Sequence, residues 1–67
     1  MTDDKWTHYA IRGAEEDLLD WGEKKRAVLA LKNDDEGNNE LIDRMVAGIE
    51  DQMHEIQADL DVLKGRL

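Results

Sequence analysis

From Ile42 to the C-terminus, apolar residues recur at alternating spacings of four and three: Ile42, Val46, Ile49, Met53, Ile56, Leu60, Leu63 and Leu67. This is the a/d heptad pattern of a helix that packs along its whole length against another helix. No polar residue interrupts the stripe. The first half is broader and less regular. Trp6, Ala10, Ile11, Ala14, Leu18, Trp21, Val28 and Leu29 fall within one wide sector at helical spacing, with Lys25 inside it. The Lys25 stem can pack there while its ammonium reaches outward. Tyr9, Leu19 and Leu31 lie at the margin of this sector or outside it. Gly13 and Gly22 sit within the helical stretch, where each costs about 1 kcal/mol relative to alanine. They mark a close approach or a bend. Alternatively, the helix begins only after Gly13 and Trp6 to Arg12 form an irregular arm.

The pattern predicts a helix over about residues 3–32, a loop over about 33–39 and a second helix over about 40–66. Thr2, Asp3 and Asp4 can cap the first helix. Gly37 is placed to end it in the left-handed conformation, with Asn38 or Asn39 capping the second. Both helices begin acidic (Asp3 and Asp4; Glu40 and Asp43) and end basic (Lys24, Lys25, Arg26 and Lys32; Lys64 and Arg66). Antiparallel folding therefore sets each basic end beside an acidic one. Matched lengths and a short connection favour the same arrangement. The expected fold is all-α: one antiparallel two-helix hairpin, coiled-coil-like, spanning residues 1–67.

A hairpin covers one stripe per helix and leaves its flanks open. Trp6, Trp21, Leu41, Met45 and Val62 widen the apolar surface beyond the minimal seam, so two copies are expected to pair as a four-helix bundle. The expected oligomer interface is Trp21, Ile42, Val46, Ile49, Met53, Ile56, Leu60 and Leu63. If two copies of the second helix met antiparallel, Glu50 of one would face Lys64 of the other and Gln57 would face Gln57, a charge-matched pairing; a parallel meeting would instead set Asp59 beside Lys64 and Met45 beside Glu50. Length supports association. Below about 70–80 residues a single core rarely supplies more than ~3–5 kcal/mol. The chain has 67 residues and no cysteine, so disulfides and thiolate metal sites are excluded as remedies.

The net charge of −8 repels nucleic-acid phosphates and anionic membranes. Direct nucleic-acid binding is not expected, and a partner with a basic surface is. The acidic N-terminus does not read as a signal peptide, and no run approaches the ~18 apolar residues of a membrane span. A soluble cytoplasmic protein without membrane contact is expected.

Candidate chemistry is sparse. There is no serine, and the only hydroxyls are Thr2, Thr7 and Tyr9, so no nucleophile–base arrangement can be assembled. Asp51 and His54 have the i, i+3 spacing of two metal ligands, but both fall on the face away from the heptad seam. His8 can join a subunit contact. Glu15, Glu16, Asp17, Asp20 and Glu23 crowd a short stretch, although helical carboxylates rarely supply the six to eight oxygens that calcium takes. No catalytic residue, metal site or cofactor is expected.

These features point to a small acidic, non-catalytic protein–protein interaction module, acting as an oligomeric regulator, adaptor or inhibitor. Its expected partner-binding residues are Tyr9, Leu19, Glu15, Glu16, Asp20 and Glu23. Three other readings compete: a DNA mimic that inhibits a nucleic-acid-binding protein, a metal-binding half-bundle using carboxylates and His54, and a purely structural oligomerisation unit.

Overall fold

The structure, a computed structural model, describes residues 3–67, with side chains from Lys5 onward. Two helices, α1 (Asp3–Leu29) and α2 (Glu36–Gly65), pack against each other, and no strand is present among the described residues. The molecule measures 56 × 15 × 10 Å, the outline of one two-helix layer. The expected capping roles of Thr2, Asp3 and Asp4 lie outside the described residues and side chains. Helix α1 is continuous through Gly13 and Gly22, so the arm alternative does not hold.

The seam is a heptad on both sides. On α2, Ile42, Val46, Ile49 and Leu60 are buried and Met53, Ile56 and Leu63 are half-buried. On α1 the facing residues are Thr7, Ile11, Ala14, Leu18, Trp21, Lys25 and Val28, again at spacings of four and three. The wide sector expected for α1 therefore narrows. Trp6, Ala10 and Leu29 are exposed, Trp6 by 70%, and Thr7 is buried in their place. A strict a/d row selects every third or fourth residue, so Trp6 is turned out by one position. Lys25 keeps its seam place as expected, with its stem half-buried and Nζ 3.9 Å from Glu50 Oε1.

Two ion pairs fix the direction. Lys25–Glu50 and Lys32–Asp43, the latter 2.6 Å long, are seven residues apart on each side, in opposite senses, with Lys32 in the turn that follows α1. The seam thus runs antiparallel without a slip, and the basic end of α1 meets the acidic start of α2. Both pairs are substantially exposed, so each contributes little, under about 1 kcal/mol.

The connection differs from expectation. Helix α1 stops at Leu29, and residues 30–32 continue as tight turns with Leu31 N bonded to Val28 O and Lys32 N to Leu29 O. Helix α2 begins at Glu36, because Asp35 is its N-cap. The Asp35 carboxylate accepts from Gly37 N at 2.9 Å and from Asn38 N at 3.3 Å. Gly37 therefore lies inside the first turn of α2 with negative φ and does not terminate α1. Asn38 and Asn39 are helical, not caps, and their side chains clasp the loop. Asn39 exchanges two hydrogen bonds with the Asn33 backbone, and Asn38 Nδ2 donates to Leu31 O. Asp35 prevails because its carboxylate satisfies two otherwise orphaned helix-start donors at once.

The core is thin. No side chain among the described residues is buried beyond 98%. The accessible surface is 5335 Å², against about 4,300 Å² for a compact monomer of this mass.

Candidate interaction surface

With both seams in heptad register, each helix has two flanks. Positions e and b lie beyond a, and positions g and c lie beyond d. In an antiparallel pair, like flanks share a side. On one side a shallow open groove is lined by Glu15 and Leu19 of α1 with Gln57, Leu60 and Lys64 of α2. These include e and b positions of both helices, so this is the e/b face. On the opposite side Asn38 reaches the Leu31 carbonyl, joining g to g. The Lys24 ammonium, at g, lies 4.4 Å from the centre of the Trp21 ring. The exposed edge of Trp21 therefore turns toward this second side, the g/c face.

The two faces differ in chemistry. Among the described residues nine large apolar side chains are substantially exposed: Trp6, Tyr9, Leu19, Leu29, Leu31, Leu41, Met45, Val62 and Leu67. Four of them, Trp6, Leu41, Met45 and Val62, occupy g or c positions and fall on one face, and Leu31 follows them in the turn after α1, its carbonyl bonded to Asn38 on that side. The e/b face carries only Leu19 and Leu29 of that set, amid Arg12, Glu15, Asp43, Glu50 and Lys64.

The residues expected to bind a partner divide. Glu15 and Leu19 line the same groove. Tyr9 lines a neighbouring cleft with His8, Arg12 and Glu15, and its ring centre is 6.1 Å from that of Trp6. Glu16 and Glu23 are exposed on the back of α1, at f positions, and Asp20 lies on the g/c flank. The acidic run is thus dispersed around the helix, with no single row of carboxylates. The residues expected at an oligomer interface turn first toward the seam within the hairpin, Trp21 from α1 and the others from α2. Of these, Trp21, Met53, Ile56 and Leu63 keep partly exposed surface.

Asp51 and His54 are exposed and point away from the seam. Among the described residues no group of three His, Cys, Asp or Glu side chains is placed to hold a metal ion. Among the described residues no helix is long and apolar enough to cross a membrane. Comparison with protein-family models, with curated proteins and with solved structures found no match.

Sequence reasoning missed Thr7 as a seam residue and the segregation of exposed apolar groups to one face. The heptad letters contained the second signal: Trp6, Leu41, Met45 and Val62 are all g or c once α1 is read in strict register, and Leu31 would be g if the helix continued as expected.

Proposed function

We propose that the protein is a small, non-catalytic, cytoplasmic interaction module that works as a homodimer, forming a four-helix bundle that regulates, adapts or inhibits a larger protein. The observation that carries this reading is the excess surface. The single hairpin exposes about 1,000 Å² more than a compact monomer of its mass would. A stable interface buries about 800 Å² per partner. Dimerisation removes this deficit with the chain's own material. The groove at Glu15 and Leu19, with Tyr9 nearby, supplies a separate surface for a different protein, and the negative charge favours a basic one.

Sedimentation equilibrium between low and high micromolar concentration tests the reading. Twice the 7.7 kDa chain mass is expected at the upper end. A single species of chain mass throughout refutes it.

A further inference from the structure

We propose that two copies pair through their g/c faces, antiparallel, so that the loop end of one hairpin lies against the open end of the other. This rests on the self-association reading above and specifies its surface and geometry.

The face has a suitable length and composition. It runs along the 56 Å hairpin, and a stable interface takes roughly 800 Å² per partner. Its apolar groups are not central. Trp6, Ala10 and Val62 cluster at the open end, whereas Ala27, Leu31, Leu41 and Met45 cluster at the loop end. A two-fold axis across the middle of the face superposes these clusters. On α1 the axis passes between Asp17 and Asp20. It then sets Trp6 against Leu31 of the other copy, Ala10 against Ala27 and Gly13 against Lys24. On α2 it passes between Gln52 and Glu55, setting Met45 against Val62, Gly48 against Asp59 and Gln52 against Glu55. The Lys25–Glu50 and Lys32–Asp43 pairs place these two midpoints about three residues apart along the hairpin, or ~4.5 Å. One axis serves both helices when it is tilted across the face, so that the two hairpins cross at an angle.

Two further observations agree. Gly13 and Gly48 sit inside helices at a cost of about 1 kcal/mol each, and a methyl group on either would meet nothing within 4 Å. The hairpin's own packing gives no reason for them, as it gives none for Gly22 on the e/b face. Gly13 and Gly48 both lie on the g/c face, and in the proposed pairing each receives a long or charged side chain, Lys24 or Asp59. Lys24 would arrive already stacked on Trp21.

Charge selects the direction. In the alternative with both loops at one end, α1 crosses α2 of the other copy at the same level, and Asp17 and Asp20 meet Glu55 and Asp59. In the antiparallel pairing Glu55 meets Gln52 and Asp59 meets Gly48. The only like-charge contact left is Asp17 with Asp20. Screening this contact tightens the dimer, so added salt strengthens association.

The test uses full-length variants, with sedimentation for mass and circular dichroism for helicity. Gly48→Leu is expected to weaken self-association at least tenfold with helicity retained. Gly22→Leu, on the e/b face and likewise open to within 4 Å, should leave association unchanged. Asp17→Asn with Asp20→Asn should tighten it severalfold. Because the chain has no cysteine, a mixture of Ala10→Cys and Ala27→Cys chains treated with a short thiol cross-linker should give a covalent pair that neither variant gives alone. Wild-type protein that stays monomeric overturns the self-association reading and this proposal with it. A dimer that tolerates Gly48→Leu, or that cross-links through Gln57→Cys on the e flank but not through positions 10 and 27, overturns only the proposed face.

Discussion

Ile42 and Leu41 are adjacent aliphatic residues on α2, yet Ile42 is 3% exposed and Leu41 is 57% exposed. Alanine at each position separates the seam from the outer face. Replacing a buried isoleucine removes its transfer free energy and leaves a cavity, typically costing 2–5 kcal/mol in total. The seam here is one side chain deep and open at both flanks, so neighbours and water can relax into the space. The expected cost is near the lower end, about 2–3 kcal/mol. A hairpin of this size has about 3–5 kcal/mol in all, so Ile42→Ala removes half or more of it. Leu41 has less than half of its side chain covered within one hairpin, and alanine is the better helix former. In dilute protein Leu41→Ala should therefore cost about 1 kcal/mol or less. Urea titration followed by far-ultraviolet circular dichroism measures both. With a slope near 1 kcal/mol/M, Ile42→Ala lowers the midpoint by about 2–3 M, and Leu41→Ala by about 1 M or less. Repeating the titration at high protein concentration adds a second readout. The Leu41 cost should grow with concentration more than that of Ile42, because only Leu41 lies outside the seam and on the face assigned to the second copy. Equal costs in dilute protein, or a larger one for Leu41, would mean that α2 presents a different face to α1.

Asp35→Ala removes both cap hydrogen bonds and should cost about 1 kcal/mol, read as a lower thermal midpoint together with a shifted Gly37 amide resonance. Asn39→Ala opens the clasp on Asn33 and should cost about 1 kcal/mol by loss of two hydrogen bonds, while helical content away from the loop is kept. Lys25→Leu fills a seam position with an apolar side chain and should raise the thermal midpoint, the gain being on the order of 1 kcal/mol. A lower midpoint would mean that the exposed Lys25–Glu50 pair outweighs packing.

How much of this was legible depends on which residues hold the seam. The α2 stripe was readable because every a and d position from Ile42 onward is apolar, and the antiparallel direction followed from the polarity of charge along each helix. The α1 register was obscured because two of its seam positions are Thr7 and Lys25. Beside them Trp6 and Ala10 offer apolar surface one or more positions away, which widens the apparent sector. The loop was misplaced by local competition. Asp35, Asn38 and Asn39 are all good caps, and sequence alone does not rank them. The ranking came from geometry, since only Asp35 bonds two free amides while both asparagines remain able to reach back to the Leu31 and Asn33 backbone. The grouping of exposed apolar residues on one flank depends on the α1 register, and so was hidden by the same two residues.

If the g/c faces close on each other, the surface left to a different protein follows from symmetry. Each hairpin then presents its e/b face outward, with the groove at Glu15, Leu19 and Lys64 repeated twice on opposite sides of the bundle. Two chains of formal charge −8 each would attract a basic partner over a range set by the Debye length, about 8 Å at physiological salt. The groove would supply the apolar contact that charge alone cannot make specific. Association between copies and capture of the partner should therefore respond to ionic strength in opposite directions: salt relieves Asp17 against Asp20 at the centre of the dimer and screens the outward carboxylates from a basic surface. Leu19→Lys separates the two roles. Leu19 is 70% exposed and off the g/c face, so the variant should keep the dimer mass and the wild-type thermal midpoint while weakening capture of a basic partner. A variant that lost the dimer as well would show that Leu19 belongs to the self-association surface, and that the two faces are not independent.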